Sequence, residues 1–192
     1  MNRLMAAVLA GAIIGTIGAR SYGGDWETDF EKASAAAGES GMYMLLDFSG
    51  SDWCGWCIKL DKEVFSKSEF KKFAEKNLVC VLVDFPRGKK QDDALKAQNR
   101  ALAKKYEIEG YPTVIILAPD GSLAGRTGYQ PGGPEKYIEH LKEIIDQHKR
   151  EHPGAGAPEA KASVKPAPEA KALIKPAPTA KDLVKPAPEA GK

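Results

Sequence analysis

The sequence predicts an α/β sandwich, in which helices cover a central sheet. Short apolar runs of strand length alternate along the chain with segments whose apolar residues recur at helical spacing. Late in this alternation, a Pro-Asp-Gly turn at residues 119–121 separates two strand-like segments and predicts a hairpin. Parallel pairing is therefore expected first along the chain, followed by an antiparallel hairpin.

The predicted elements follow in the order helix, strand, helix, strand, helix, strand, strand, helix. Four segments have the length and composition of strands, namely 42–48, 78–83, 113–117 and 122–127, and the last pairs back on the third. The helices are predicted from apolar residues at helical spacing. These residues are Trp26, Phe30 and Ala33, then Ile58, Leu60 and Val64, then Phe70, Phe73 and Ala74 behind Ser68, then Leu95, Leu102 and Tyr106, and finally Tyr137, Ile138, Leu141, Ile144 and Ile145.

The first 24 residues have the features of a secretory signal peptide. Arg3 precedes an uncharged apolar run over residues 4–17, and small residues follow it. The run is shorter than the roughly 20 residues that a membrane-spanning helix needs, so we favour a cleaved signal over a retained anchor. No cysteine lies nearby, which excludes a lipid attached there through an N-terminal cysteine. We expect a periplasmic or otherwise secreted protein.

The last 40 residues, 153–192, are predicted to form a disordered tail. From Pro158 a ten-residue unit repeats as PEAKASVKPA, PEAKALIKPA and PTAKDLVKPA. Two prolines and few large apolar residues in each unit cannot support a packed core, and part of the tail should adopt polyproline II. Seven lysines against four acidic residues allow contact with an anionic cell wall or membrane surface, although a solvated spacer is the favoured reading. Residues 25–152 remain as one domain.

Charge and cysteine content exclude two classes of protein. The chain has 28 basic and 26 acidic residues, and its middle segment contains no long run of Lys and Arg, which argues against a nucleic-acid partner. Three cysteines cannot form a fully paired disulfide framework. Two of them, Cys54 and Cys57, are separated by Gly55 and Trp56, and this spacing directs attention to redox chemistry.

The segment DFSGSDWCGWC ends a buried strand and places Cys54 where the next helix begins. Free backbone N–H groups and the helix dipole at that position favour a thiolate, so we expect Cys54 to be the nucleophile. Cys57 lies one turn further along the same helix. It can attack a mixed disulfide formed at Cys54 and release the partner, as the resolving thiol.

Two other uses of this cysteine pair are possible in principle. A zinc site needs further ligands, but Cys80 lies in the middle of a strand, and His140, His148 and His152 lie on or beyond the last helix. A purely structural disulfide would close a loop too short to add much stability. We therefore expect no metal and no bound cofactor, with the Cys54–Cys57 pair as the redox centre.

Two segments carry a resemblance to a known family. LLDFSGSDWCGWCIKL resembles the active-site strand, loop and helix of the thioredoxin superfamily, and LAKKYEIEGYPTVIIL resembles the stretch that closes the same site. The resemblance spans residues 42–145. It implies a thioredoxin-like fold, with a central mixed sheet flanked by helices, and a thiol–disulfide oxidoreductase.

The resemblance also implies roles for two further residues. Pro112 is expected in the cis form beside the two sulfurs, where it would expose the backbone of Tyr111 to a peptide substrate, although an ordinary trans turn is the alternative. Asp47 matches the buried acid that takes the proton from the second cysteine, and burial would raise its pKa. A solvated carboxylate at the strand end is the competing interpretation. If Asp84 aligns with the acid ending the third strand of thioredoxin, Cys80 replaces the lysine that usually faces the buried acid, and we expect an inert thiol there.

Aromatic residues beside the cysteines suggest the substrate. Trp53, Trp56 and Tyr111 would form an apolar rim for unfolded or extended proteins, although Trp53 is equally compatible with the core. The Gly-Trp pair between the cysteines matches neither the Gly-Pro of thioredoxin nor the Gly-His of disulfide isomerases, so the direction of electron transfer stays open, with a slight preference for reduction.

The partners follow from this chemistry. We expect a monomer that acts on protein disulfides or thiols and is reset by a redox partner protein. The long stretch 84–96 either shapes a partner surface or is a solvated insertion. The alternative function is a non-catalytic binding or chaperone module on the same fold, tethered to the envelope by its tail.

Overall fold

Strand β1 (Tyr43–Ser49) lies inside a four-stranded mixed sheet. It pairs in parallel with β2 (Leu78–Asp84) and antiparallel with β3 (Thr113–Leu117), which forms a hairpin with β4 (Leu123–Thr127). The strand order is β2-β1-β3-β4, which confirms the predicted mixed sheet and terminal hairpin. The computed structural model describes residues 26–153; the signal peptide and almost all of the tail predicted from the sequence lie outside these residues.

Helices cover both faces of the sheet. They are α1 (Phe30–Ser40), α2 (Gly55–Leu60), α3 (Ser68–Asn77), α4 (Asp93–Lys105) and α5 (Gly133–Glu151). Helix α2 continues directly into a π-helical segment, Asp61–Phe65. No helix within residues 26–153 is long and apolar enough to cross a bilayer.

Alternation along β1 divides the core in two. Tyr43 and Leu45 face a cluster with the π-helical segment, α3 and α5, whereas Leu46 and Phe48 face a cluster with α1 and the end of α4. At one end of the sheet, the hydroxyl of Tyr43 lies 3.1 Å from Nδ1 of His148 in the last turns of α5. The opposite end of β1 leads into the cysteines.

The first helix begins later than the sequence predicts. Apolar spacing starts it at Trp26, but α1 starts at Phe30, and the side chain of Asp29 caps it by accepting a hydrogen bond from Lys32 N–H at 3.1 Å. The preceding residues are extended because Glu27 N–H donates to the carbonyl of Cys80 and the carbonyl of Glu27 accepts from Leu82 N–H. Pairing with the edge of β2 therefore prevents helix formation there.

Helix α3 begins at Ser68, where the sequence indicated a helix start, although the Ser68 side chain does not cap it. Lys67 occupies the cap position, and the Ser68 hydroxyl donates to the carboxylate of Glu69 at 3.1 Å. The helix is nevertheless amphipathic as predicted, with Phe70 and Ala74 buried.

Candidate active site

The two cysteines lie where β1 has ended and α2 begins. Cys54 is the cap residue of α2 and has extended backbone angles, and its Sγ is bonded to that of Cys57 with 5.2 Å between the Cα atoms. The backbone N–H of Cys57 donates to Sγ of Cys54 at 3.2 Å. Cys54 is 7% exposed and Cys57 3%. The sulfur of Cys54 therefore has a helix-terminal amide pointing at it, an arrangement that stabilises negative charge on sulfur.

The loop before Cys54 is held by the end of β2 and by contacts within the loop itself. Ser51 donates from its N–H and its hydroxyl to the two carboxylate oxygens of Asp84, at 2.9 and 2.6 Å. The N–H of Cys54 donates to the carbonyl of Gly50 at 2.8 Å. A Cβ at position 50 would lie 2.5 Å from the ring of Trp53, so this loop needs glycine there. These contacts fix the position of Cys54 relative to the sheet.

Trp53 connects the cysteine loop to two other parts of the chain. Its indole N–H donates to the carbonyl of Phe85 at 2.8 Å, and its ring centroid is 5.8 Å from that of Tyr111. The guanidinium of Arg87 lies 3.8 Å from the Trp53 centroid. Trp53 is half-buried, and so it is neither fully in the core nor an open rim residue. The peptide bond between Tyr111 and Pro112 is cis, as predicted.

Trp56, between the two cysteines, forms an exposed apolar surface. It is 57% exposed, and its ring centroid is 5.2 Å from that of Tyr129. The ammonium of Lys59 lies about equally far from both rings, at 4.9 and 5.0 Å. The hydroxyl of Tyr129 donates to Glu63 at 2.7 Å. The position of Trp56 therefore agrees with a rim that a protein substrate could contact.

Asp47 is a buried carboxyl group and not the solvated strand-end carboxylate that was its alternative. It is 5% exposed, and among the described residues its Oδ1 has no hydrogen-bond partner. Burial, followed by the negative charges of Asp61 and Asp84, raises the pKa of Asp47 to about 7, against a smaller opposing contribution from the Ser49 hydroxyl. A carboxyl group with this pKa can accept a proton near neutral pH.

Two further buried groups lie near enough to Asp47 to respond to its charge. Cys80 is a free thiol, 6% exposed, and burial together with the charge of Asp47 raises its pKa to about 12. Burial and the same carboxylate raise the pKa of Tyr137, whose hydroxyl has no hydrogen-bond partner within residues 26–153. The environment of Cys80 is thus that of an unreactive thiol, as predicted.

Comparison with known proteins gives the family. The family model of the thioredoxin-like domain matches residues 30–145, more than half of the chain. The chain belongs to this thioredoxin-like family. Among its relatives is the disulfide bond reductase DsbH of Chlamydia pneumoniae, 33% identical over 120 residues, which are 62% of this chain and 72% of DsbH.

Other relatives of this thioredoxin-like protein agree. The thioredoxin-related protein DsbJ of Chlamydia pneumoniae is 34% identical over 114 residues, 56% of this chain but only 33% of DsbJ. A solved structure of a DsbH oxidoreductase superimposes with a TM-score of 0.61 at 33% identity, covering 64% of this chain and 84% of that one. Together with the disulfide between Cys54 and Cys57, these relatives identify the chain as a protein thiol–disulfide oxidoreductase.

The histidines that could complete a zinc site with the cysteines have other contacts. Within residues 26–153, no group of three or more His, Cys, Asp or Glu side chains is placed to hold a metal ion. His140 contacts the Thr127 hydroxyl at 2.9 Å, and His148 contacts Tyr43 at the far end of the sheet.

Several residues of this thioredoxin-like site were not found from the sequence. They are Gly50, Asp52, Lys59, Phe85, Arg87 and Tyr129. Tyr129 could have been expected from the predicted hairpin. The register of that hairpin pairs Val114 with Thr127, which places position 129 at the same end of the sheet as Pro112. Lys59 lies on α2, three residues after Trp56, where helical spacing could have indicated the contact. The other four depend on the conformation of loops, for which the sequence shows no periodic pattern.

Proposed function

We propose that this protein is a disulfide reductase for proteins outside the cytoplasm, with Cys54 as nucleophile and Cys57 as resolving thiol. The observation that carries the proposal is the N–H of Cys57 on the sulfur of Cys54, at the first turn of α2. The similarity to a protein named a disulfide bond reductase supports the direction of the reaction. The apolar run after Arg3 supports export.

The reaction begins from the reduced pair. The thiolate of Cys54 attacks one sulfur of a substrate disulfide, which forms a mixed disulfide and releases the other substrate sulfur as a thiolate that takes a proton from water. Asp47 then accepts the proton of Cys57, whose sulfur attacks Sγ of Cys54. The second substrate sulfur leaves and is protonated, and the Cys54–Cys57 disulfide remains.

Each turnover transfers two electrons and two protons to the substrate. A redox partner protein must return them before the next turnover, and no bound cofactor is needed. Trp56 and the backbone at Tyr111 and Pro112 would hold an extended substrate segment over Cys54, by apolar contact and by strand-like hydrogen bonds respectively. Trp53 would set the position of the loop between these two surfaces.

Two substitutions test the roles of the cysteines. Cys57→Ser should accumulate a mixed disulfide with substrate, because the nucleophile is intact but resolution is blocked, whereas Cys54→Ser should abolish insulin reduction and trap nothing. Cys80→Ser is the matched control and should behave as wild type. Unchanged cellular function of Cys54→Ser would instead support the non-catalytic binding module.

The direction of the reaction is tested by the reduction potential. Equilibration of the pair with glutathione buffers should give a value nearer to the roughly −270 mV of thioredoxin than to the roughly −120 mV of a strong oxidant. A value at the oxidising end would overturn the proposed reductase activity and leave the thiol–disulfide chemistry in place. Export is tested separately by fractionating cells that express the full chain and a chain without residues 1–24.

A further inference from the structure

Positive charge in the described domain is concentrated beside the disulfide. Residues 85–100, which form the loop after β2 and the start of α4, contain five basic residues and two acidic ones. Residues 26–153 as a whole contain 19 basic and 21 acidic residues, so the rest of the domain is net negative. The basic residues of this segment are Arg87, Lys89, Lys90, Lys96 and Arg100.

Three of these cations line one surface pocket, which we name the cationic pocket. Its walls are Phe85, Pro86, Lys89, Gln91, Lys96 and Arg100, none of them acidic. Asp93 offsets part of the charge, since its carboxylate lies 2.9 Å from the ammonium of Lys96 and also interacts with Arg100. The ammonium of Lys89 lies 3.4 Å from the Ser51 hydroxyl, which donates to Asp84 on its other side. Asp52 also lies beside this group, since its charge acts on Lys89 and its carboxylate accepts from the N–H of Arg87. The five basic residues of this segment still outnumber, by one, the carboxylates among and beside them, which are Asp52, Asp84, Asp92 and Asp93.

The cationic pocket shares residues with the active site. Phe85 forms one wall, its carbonyl accepts from the indole of Trp53, and its ring centroid is 5.3 Å from that of Tyr111. Arg87 extends the positive charge over the face of Trp53, directly before Cys54. A chain lying along Tyr111 therefore passes next to the pocket.

The basic loop is held in place in the structure. The carboxylate of Asp52 accepts from the N–H groups of Arg87 and Gly88 at 3.0 and 2.7 Å. The side chain of Gln91 donates to the carbonyl of Asp84 at 3.2 Å. Cations held in position in advance lose less freedom when a ligand binds than cations on a mobile loop.

We infer that the cationic pocket recognises an acidic segment next to the reacting disulfide of the protein substrate, so that disulfides flanked by Glu or Asp are reduced fastest. The inference rests on the proposed reductase function and specifies its substrate class. The negative charges of an acidic chain complement the positive charges of the pocket, Arg87 and Lys90. Attraction between opposite charges increases the association rate more than it increases the affinity. The preference is therefore expressed in the rate at which the Cys54 thiolate attacks the substrate disulfide.

The test uses three disulfide-bonded peptides that differ only in two residues beside the cysteine, Glu-Glu, Gln-Gln or Lys-Lys. Rapid mixing with the reduced full-length protein, followed by tryptophan fluorescence, gives the second-order rate constant. At low salt we expect the order Glu, Gln, Lys, with about a three- to tenfold difference at each step, because exposed ion pairs are individually weak. In about 1 M salt, where screening acts within about 3 Å, the three rates should converge.

Two double variants separate the pocket from net charge. Lys89→Gln/Arg100→Gln should slow the Glu-Glu peptide several-fold and leave the Gln-Gln rate unchanged. The control Lys76→Gln/Lys142→Gln removes the same charge from exposed positions on α3 and α5 and should change neither rate. Equal rates for the three peptides, or equal losses in both double variants, would overturn the inference.

The same experiment distinguishes this failure from failure of the proposed function. Reduction of the Gln-Gln peptide depends on Cys54 and Cys57 and not on the cationic pocket. If that peptide is reduced without any preference for acidic flanks, the recognition of an acidic segment is wrong and the reductase remains. If no peptide is reduced, both are wrong.

Discussion

Asp47 is a carboxyl group in the middle of the sheet, and its ionisation should destabilise the folded protein. Because its pKa rises from 3.8 to about 7 on folding, the folded state holds the proton more tightly than the unfolded state. The resulting stability is fully present below pH 3.8 and is lost as the pH rises through about 7. Asp47→Asn should therefore be more stable than wild type at pH 8, by up to about 4 kcal/mol, and similar at low pH.

Urea unfolding of the oxidised proteins from pH 4 to pH 8 measures this difference. Both proteins share all other titrating groups, so the pH dependence of the difference reports on Asp47. A difference that stays constant with pH would contradict the assignment of a buried acid with a raised pKa.

Cys80 should be unreactive in the folded protein. Burial and the charge of Asp47 raise its pKa to about 12, so almost no thiolate is available at neutral pH. Brief treatment of the reduced native protein with iodoacetamide should modify Cys54 and leave Cys80 free, whereas all three cysteines should react in urea. Peptide mass spectrometry counts the modified sites. Labelling of Cys80 at the rate of Cys54, or a disulfide that includes Cys80 during turnover, would make it a redox partner.

Single residues could be predicted from the sequence where the local motif determines their environment. Cys54 and Cys57 lie one turn apart because of their spacing, and Tyr111–Pro112 is cis as the resemblance implied. Arg87 could not be assigned to the site, because its contact with Trp53 joins residues distant in the sequence through a loop without periodicity. Trp53 itself was left between core and rim, and its half-buried position shares features of both.

The loop between β2 and α4 depends on one carboxylate from the cysteine loop. Asp52 accepts from two successive N–H groups, and these hydrogen bonds are the main cause that lowers its pKa. Asp52→Ala should accelerate hydrogen exchange of the Arg87 and Gly88 amides by about tenfold or more. Both N–H groups lose their acceptor, so local opening costs less free energy. Exchange within β1 should be unchanged, and Asp93→Ala on α4 serves as the control. Unchanged exchange at both amides would show that the loop is held by other contacts.

Helices and strands were predictable where their periodicity is regular. All four strands and the hairpin occur near the expected residues, because their apolar runs are bounded by turns. The start of α1 was wrong, since tertiary pairing of Glu27 with the edge of β2 overrides the helical spacing of Trp26 and Phe30. The π-helical segment Asp61–Phe65 was also missed, because five residues that continue α2 are too few to show a period of their own.

The folded domain should not need the residues that follow α5. Both apolar clusters are built from residues between Trp26 and Ile145, so the core is complete before residue 153. A chain shortened after residue 153 should keep the melting temperature and the insulin reduction rate of the full chain. A chain shortened after residue 140 loses Leu141 and Ile145 and should not fold, which provides the control. A melting temperature lowered by several degrees in the chain that ends at residue 153 would show that the tail contributes to the fold.

Helix α5 returns the chain to the end of the sheet where β1 starts, as the contact between Tyr43 and His148 shows. The seven residues of β1 extend over about 20 Å, and Cys54 follows beyond its other end. A biotin or affinity tag joined shortly after α5 would therefore immobilise the protein by the side remote from its redox-active sulfurs. A molecule oriented in this way on a sensor surface presents its reactive side to the flowing sample. For capturing substrates, coupling just after α5 is therefore preferable to random coupling through lysines.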